Sequence, residues 1–571
     1  MPRRPRDPGP PADASTAVSG TPAPGAPAPG TPAPGTPARG TVAASTPPAA
    51  PGADPDPAAA GPAPAPGTRI LPAFIGLAMA MFMFSANQTM LSTALPTIVG
   101  ELDGGRQLLW ISTAYMLAAT VSVPVLGKLG DVFGVKRIFM GSVVLFTLTC
   151  VAGSVVPTMS ALIAARALQG VAGGGLVVLS QALVATLIPP RRRGTYMGAI
   201  GGVFVLSTVA GPVLGGLLAE SVGWRWCFGV NVPLGVLAFV LCWRYLRLRP
   251  PGTDTRPRLD IAGMVLLSVV TTGIVLVTAW GGRTFAWTSP AVWCTALVAV
   301  GAVVLLVGVE RRAEDPVLPA VILTDRNFIM STVVGVVLAL GAFGVTTYMP
   351  TYIQVARGVG ASVAGLILLP MMVTMFAFSL LSGAVVSRTQ RYRVNLLIAG
   401  VVSAVAFVLV GTLGHDGGLV PLMAVLGLLG VGLGFGTQLT VLVVQNSFPV
   451  RVVGSATGLN NLFRDLGGTL GMSVVGSLFT ARLVSGLAET GTGVEVDSVT
   501  PALVRGLPDA ARELVAQSYD NALIPVLVLL APLMVVAVVA ALFIDDATVR
   551  SGASRPLDGG AGEDGVDPDG T

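Results

Sequence analysis

The chain has 571 residues, of which 53% are apolar and only 11% charged, with a formal net charge of +5. A soluble domain carries roughly 25% charge, so this chain lacks the polar surface to wrap a water-facing globule and is read as an all-α integral membrane protein. The bases sit in short loops between apolar runs rather than in a groove-binding stripe, which argues against nucleic acid as a partner.

Residues 1–67 are Pro, Ala and Gly with few aliphatics, including the imperfect repeat TPAPGAPAPGTPAPGTPARG. Such a segment cannot bury enough apolar area to offset chain entropy, so a disordered cytoplasmic tail is expected. Met1 to Arg6 is basic, but no apolar stretch follows before about residue 70, so no secretory signal is read. About 14 apolar runs then follow, most near the ~20 residues that cross a bilayer as helix. Hydropathy places them at 71–97, 108–128, 137–157, 160–187, 197–219, 226–247, 260–281, 291–310, 328–352, 361–386, 393–413, 419–445, 455–481 and 521–544. The polar stretch from about 482 to 520 is expected to hold a short amphipathic helix around Asp509 to Tyr519. Residues 546–571 read as a second disordered tail.

Loop charges alternate. One set of loops carries Lys128, Lys136 and Arg137; Arg191 to Arg193; Arg247, Arg249, Arg256 and Arg258; Arg311, Arg312 and Arg326; and Arg388, Arg391 and Arg393. The opposite loops carry Arg106, Arg225, Arg283 and Arg357 singly, and three bases before the last span. The positive-inside rule makes the basic side cytoplasmic, and an even span count puts both termini there. Only Lys128 and Lys136 are lysines, which with the Ala/Gly/Pro wealth points to a GC-rich bacterial gene.

Cys150, Cys227, Cys242 and Cys294 lie in or beside apolar runs without metal-ligand spacing and read as small buried hydrophobes. His415 is the single histidine and cannot form a metal site by itself. No HExxH, nucleophile elbow or P-loop is present, so neither catalytic residues, nor a metal, nor ATP-driven transport is expected.

The loop after the second run reads Gly127-Lys128-Leu129-Gly130-Asp131-Val132-Phe133-Gly134-Val135-Lys136-Arg137. Glycines permit tight turning and close approach. The acid is free either to cap a helix start or to pair with a base across the corner. This corner resembles the GxLxDxxGxRR signature of the major facilitator superfamily. TALPTI at Thr93 to Ile98, Trp110 and Tyr115, RALQG at Arg166 to Gly170, GPVLGG at Gly211 to Gly216 and WRWCFGVNVP at Trp224 to Pro233 are similar to its drug:proton antiporter branch with 14 helices. The resemblance covers roughly residues 70 to 545. It implies a six-helix bundle at 70–247, two inserted helices at 260–310 and a second six-helix bundle at 328–545. Gly383 to Arg391 occupies the place equivalent to the Asp131 corner, with Ser387 and Gln390 replacing the acid and the second glycine; parallel repeats of this kind are expected.

The resemblance also implies the function: export of drugs, antibiotics or other amphipathic, aromatic or cationic compounds across a bacterial inner membrane. The proton gradient would be the energy source, with no cofactor and the lipid bilayer as surroundings. Gly127, Asp131, Gly134, Lys136 and Arg137 would form a conformational latch, and Gly211, Pro212, Gly215 and Gly216 an antiporter motif that kinks and packs its helix. Arg166, about 10 Å deep in its span, reads as a coupling or substrate-path charge or as a structural arginine held by carbonyls. The family usually has an aspartate where this chain has Asn87, an amide that cannot titrate and that either bonds substrate or Arg166 or is purely structural. Asp465, roughly 15 Å into span 13, is read as a proton carrier or as a packing residue. A bond to its neighbour Arg464 is not expected, because adjacent residues do not share a helix face. Same-fold transport of lipids, siderophores or metabolites without antiport remains an alternative reading, as does a membrane-embedded scaffold or enzyme.

Overall fold

The computed structural model describes residues 69–102, 107–248, 259–281, 285–413, 418–490, 503–504 and 506–546. Residues 1–67 and 547–571 of the two expected tails, His415, and Arg106, Arg249, Arg256, Arg258 and Arg283 of the loop-charge pattern lie outside these residues; Asp546, expected to belong to the second tail, is held in place, its Oδ1 accepting from Tyr392 N and Arg393 N.

Among the described residues, fourteen helices are long and apolar enough to cross a membrane: α1 (Ile70–Leu102), α2 (Trp110–Phe133), α3 (Val135–Val155), α4 (Met159–Leu187), α5 (Pro190–Ser221), α6 (Trp226–Tyr245), α7 (Ile261–Trp280), α8 (Pro290–Glu310), α9 (Arg326–Ala356), α10 (Ala361–Thr389), α11 (Tyr392–Thr412), α12 (Leu419–Ser447), α13 (Val450–Ala488) and α14 (Asp509–Leu542). Side-chain caps fix several starts. Thr158 accepts from Ala161 N before α4, Asp260 from Gly263 N before α7, Ser289 from Val292 N before α8 and Asp325 from Phe328 N before α9, each relieving a first-turn donor that lipid could not satisfy.

Span existence matches the hydropathy reading, but several ends do not. α5, α13 and α14 all run well past their expected starts at 197, 455 and 521. The segment Asp509–Tyr519 is not a separate amphipathic helix; it is the first part of a helix that continues to Val528. Its Val515 and Tyr519 are buried, and Tyr352 Oη of α9 donates to Asp520 Oδ1 at 2.5 Å, so tertiary contacts extend the helix beyond its apolar core. Hydropathy sees lipid-facing length and misses turns held by protein.

The helices form two similar halves. In the first, α1 packs on α5 and α6, α2 on α4, and α3 on α4 and α6; in the second, α9 packs on α13 and α14, α10 on α12, and α11 on α12 and α14. The pairing pattern is the same, as an internal parallel repeat requires. Two seams join the halves, α2 against α13 and α5 against α10. The inserted hairpin α7–α8 lies along the first seam, where α7 touches both α2 and α13. There Leu267, Val270 and Val275 share an apolar cluster with Leu459, Leu462 and Leu466, and Ser473 Oγ donates to Thr278 O at 2.9 Å. Beside that contact an apolar, open cavity of about 690 Å³ is lined by Val125 and Leu129 of α2 and by Met264, Ser268 and Cys294 of the hairpin, among others. Cys294 is thus exposed on α8, against the expectation of burial that Cys150, Cys227 and Cys242 meet.

Candidate functional site

The residues expected to form a latch lie where α2 meets α13 and in the corner that follows α2. Gly127 of α2 and Gly454 of α13 touch so closely that a Cβ on Gly127 would lie 2.5 Å from Gly454 O, and one on Gly454 2.6 Å from Gly127 O. Backbones this close need glycine on both sides. Asp131 resolves the choice left open by the sequence: it caps a helix start and does not pair with a base. Its Oδ1 accepts from Gly454 N (2.9 Å), and its Oδ2 accepts from Ser455 N and Ser455 Oγ (2.6 Å each). These are charge-assisted bonds to the positive end of α13. The bases go elsewhere. Lys128 forms an ion pair with Asp315 at 2.6 Å in the loop between α8 and α9, Lys136 donates to Leu246 O at the end of α6, and Arg137 is exposed. Gly134 turns the corner at φ 97°, a left-handed value that favours glycine.

The second seam repeats this design without charge. Gly194 of α5 abuts Gly383 of α10, and Ser387 Oγ accepts from Thr195 N at 2.9 Å and from Thr195 Oγ1 at 3.0 Å. Gln390 Nε2 donates to Arg191 O at 3.3 Å. The pair Gly194-Thr195 therefore mirrors Gly454-Ser455, and Ser387 stands where Asp131 does. Arg193, read from sequence as a loop charge, is buried instead. It donates to Ile188 O, Gln445 O and Asn446 Oδ1 and so ties α5 to α12. Deeper along the same end, Gln181 Oε1 of α4 accepts from Asn461 Nδ2 of α13 at 2.7 Å, and Gln181 O accepts from Gln445 Nε2 of α12 at 3.1 Å. No local sequence pattern marks these three amides, since each belongs to a different helix.

Arg166 and Asn87 meet. The guanidinium is fully buried. Nη1 donates to Asn87 Oδ1 (2.5 Å) and Gln169 Oε1 (2.7 Å), Nη2 to Gln88 Oε1 (3.0 Å), and Nε to Ile111 O (3.3 Å). Its carbon lies 3.9 Å from the centre of the Tyr115 ring, a cation–π distance. One carbonyl and three side-chain amides thus satisfy it, rather than carbonyls alone. The Arg-x-x-Gln spacing puts Gln169 on the face of Arg166, a signal for this partner that the sequence reading did not use.

The motif Gly211, Pro212, Gly215 and Gly216 lies against the same region of α1. A Cβ on Gly211 would collide with Thr89, and one on Gly215 with Met90 O, whereas Gly216 faces open space within 4 Å. The α5 helix continues through Pro212 to Ser221, and Thr89 Oγ1 donates to Ser207 O at 3.2 Å. Only part of the motif therefore serves close packing. Gly215→Leu is expected to lower stability by about 1–3 kcal/mol through overpacking, while Gly216→Leu stays near wild type; thermal unfolding of the two solubilised proteins measures the difference.

Asp465 is not brought to Arg166. Its Oδ1 accepts from Nε and Nη2 of Arg464, both at 3.2 Å, so the adjacent pair does form, contrary to the helix-face expectation. The Arg464 side chain is long enough to fold back over the outside of the helix, where both groups remain partly exposed, 19% and 33% for the side chains. Because α13 begins at Val450, Asp465 lies roughly 20 Å into it rather than 15 Å. The cluster of Tyr352, Asp520 and Arg357, in which Arg357 Nη2 donates to Tyr352 Oη at 3.3 Å, was not singled out by sequence.

Comparison with known proteins places this arrangement. The family model described as Major Facilitator Superfamily matches residues 77–472. An uncharacterized MFS-type transporter of Mycobacterium tuberculosis is 34% identical over 478 residues, covering 82% of this chain and 69% of the relative. The multidrug transporter protein MdtP of Bacillus subtilis is 31% identical over 408 residues, covering 71% and 75%. Among solved structures, a human organic anion transporter aligns with a TM-score of 0.55 at 15% identity, over 81% of this chain and 99% of that one. A proton:xylose symporter aligns with a TM-score of 0.53 at 14% identity, over 83% and 95%. The paired halves, the glycine seams and the family match converge: the chain is a transporter that belongs to the major facilitator superfamily.

Proposed function

We propose that this transporter exports amphipathic small molecules, drugs or antibiotics among them, across a bacterial inner membrane by proton antiport. The observation that carries the reading is the double seam at one end, where glycine pairs and a carboxylate cap join halves that have no counterpart seal of this kind among the described contacts at the other end. Two rigid halves latched at one end suit alternating access around a site between them. The Lys/Arg-rich loops make the latched end cytoplasmic, so both termini are cytoplasmic and the state described is closed to the cytoplasm. The names of the curated relatives, multidrug transporter protein and multidrug resistance protein from Bacillus subtilis and efflux pumps from fungi, support export. Asp465 is the proton carrier in this reading, because its carboxylate sits within a span, where an ionisable group is a functional candidate; Arg464 beside it compensates the charged form alone.

A second reading, transport of lipids, siderophores or metabolites without antiport, is favoured by the neutral Asn87 beside Arg166. Accumulation of a drug panel in an efflux-deficient bacterium separates the two. Wild type is expected to lower accumulation several-fold, and both an uncoupler and Asp465→Asn to restore it at equal membrane levels. Normal export by Asp465→Asn removes that residue's proton role, insensitivity to the uncoupler removes antiport, and absence of any exported compound removes the drug-export reading.

A further inference from the structure

Two arginines are buried in the bundle with only neutral partners: Arg193, whose bonds tie α5 to α12 at the latched end, and Arg166, which lies inside the first half. Arg464 is neutralised by Asp465, and the buried Asp520 is bonded by Tyr352, which Arg357 also contacts. The partners of Arg166 are a carbonyl, three amide oxygens and an aromatic face, all neutral. A guanidinium has donors and no acceptor, so every amide beside it must turn its oxygen inward. That forces the amide nitrogens outward. Asn87 Nδ2 is fully buried with no hydrogen-bond partner. Gln88 Nε2 has none among the described residues either, on a side chain that is only partly buried. Gln169 Nε2 alone finds a partner, Cys150 Sγ at 3.0 Å. What the cluster offers a ligand is one uncompensated positive charge and two N–H₂ groups, its amide oxygens being turned to the guanidinium. An unpaired buried amide donor is costly, and a site with only donors to give discriminates by sign.

From this we infer that the transported molecule is anionic: an amphipathic compound bearing a carboxylate or comparable oxyanion that accepts from Gln88 and Asn87 in the field of Arg166. The inference rests on the small-molecule transport reading and narrows it, away from the cationic compounds that the family resemblance alone would admit. Gln88 and Asn87 are then specificity-determining residues, with Arg166 the source of the field. A unit charge about 10 Å away in a medium of effective dielectric ~20 changes the affinity of a singly charged ligand by roughly tenfold, and the ratio of an anion to a cation by roughly a hundredfold.

The test uses the full-length chain in inverted membrane vesicles and two dyes on one xanthene skeleton, anionic fluorescein and cationic rhodamine 6G. Wild type is expected to transport fluorescein in preference. Asn87→Asp, isosteric and placed to pair with Arg166, is expected to move the fluorescein-to-rhodamine ratio roughly a hundredfold toward rhodamine. Asn87→Ala, which removes the amide but adds no charge, should weaken fluorescein transport while keeping its sign of preference. Preferential transport of rhodamine 6G by wild type, or an unchanged ratio in Asn87→Asp, overturns the inference and leaves the export reading standing. Movement of neither dye overturns both.

Discussion

Arg166→Met is expected to abolish transport and to loosen the first half of the protein. Methionine fills much of the volume but leaves Asn87 Oδ1, Gln169 Oε1, Gln88 Oε1 and Ile111 O without the donor they now share. Hydrogen bonds to a charged group are worth about 1.5–3 kcal/mol each in soluble proteins, whereas interhelical bonds in membranes average about 0.6 kcal/mol because the polypeptide finds other partners in lipid. For the four bonds the two scales bracket a net loss between about 2 and about 12 kcal/mol, large enough to lower the thermal midpoint of the solubilised protein clearly. Arg166→Lys keeps the charge but loses the planar fork, which one ammonium cannot reproduce across α1, α2 and α4. It should therefore fold better than Arg166→Met and transport slowly. Accumulation assays and thermal unfolding on the same preparations check both statements, and wild-type transport by Arg166→Met would end any role for this residue in the substrate path.

The sequence made the spans legible because lipid imposes an apolar length on each helix, and it made the Asp131 corner legible because a turn needs glycine at fixed offsets. Arg166 stood out for the same reason: a base ten ångströms into an apolar run has few ways to be tolerated. Partners across helices were not legible. Nothing local marks Gly454-Ser455 as the receiver of Asp131, or Gly194-Thr195 as the receiver of Ser387, since each bond joins residues from opposite halves of the chain. Arg193 was absorbed into a loop-charge count although it is a buried tie to α12. The helix-face rule failed at Arg464 and Asp465 because it describes short side chains on a cylinder and not a long arginine folding along it. The lower polar limit of α14 was missed because Asp509–Tyr519 is held by α9 and α13 rather than by lipid.

The unequal chemistry of the two seams carries a second large effect. Asp131→Asn should open the latched end, because an amide has one oxygen for the three donors Gly454 N, Ser455 N and Ser455 Oγ, and its N–H₂ group confronts the rest. Loss of one or two charge-assisted bonds at a helix N-terminus, about 1.5–3 kcal/mol each, shifts the equilibrium between latched and open states by roughly ten- to a hundredfold or more. Spin labels at Arg192 and Arg388, both exposed and flanking the other seam, report this without touching the mutated site, since halves that rock as rigid bodies must part at both seams together. Asp131→Asn is expected to populate a longer Arg192–Arg388 distance in electron-paramagnetic-resonance measurements. Ser387→Ala removes only neutral bonds from Thr195, about 1 kcal/mol net, and should shift the same distribution several-fold less although it lies beside the labels. If Ser387→Ala opened the molecule as far as Asp131→Asn, the seams would be equivalent, and the charge on Asp131 would have no special part in holding the closed state.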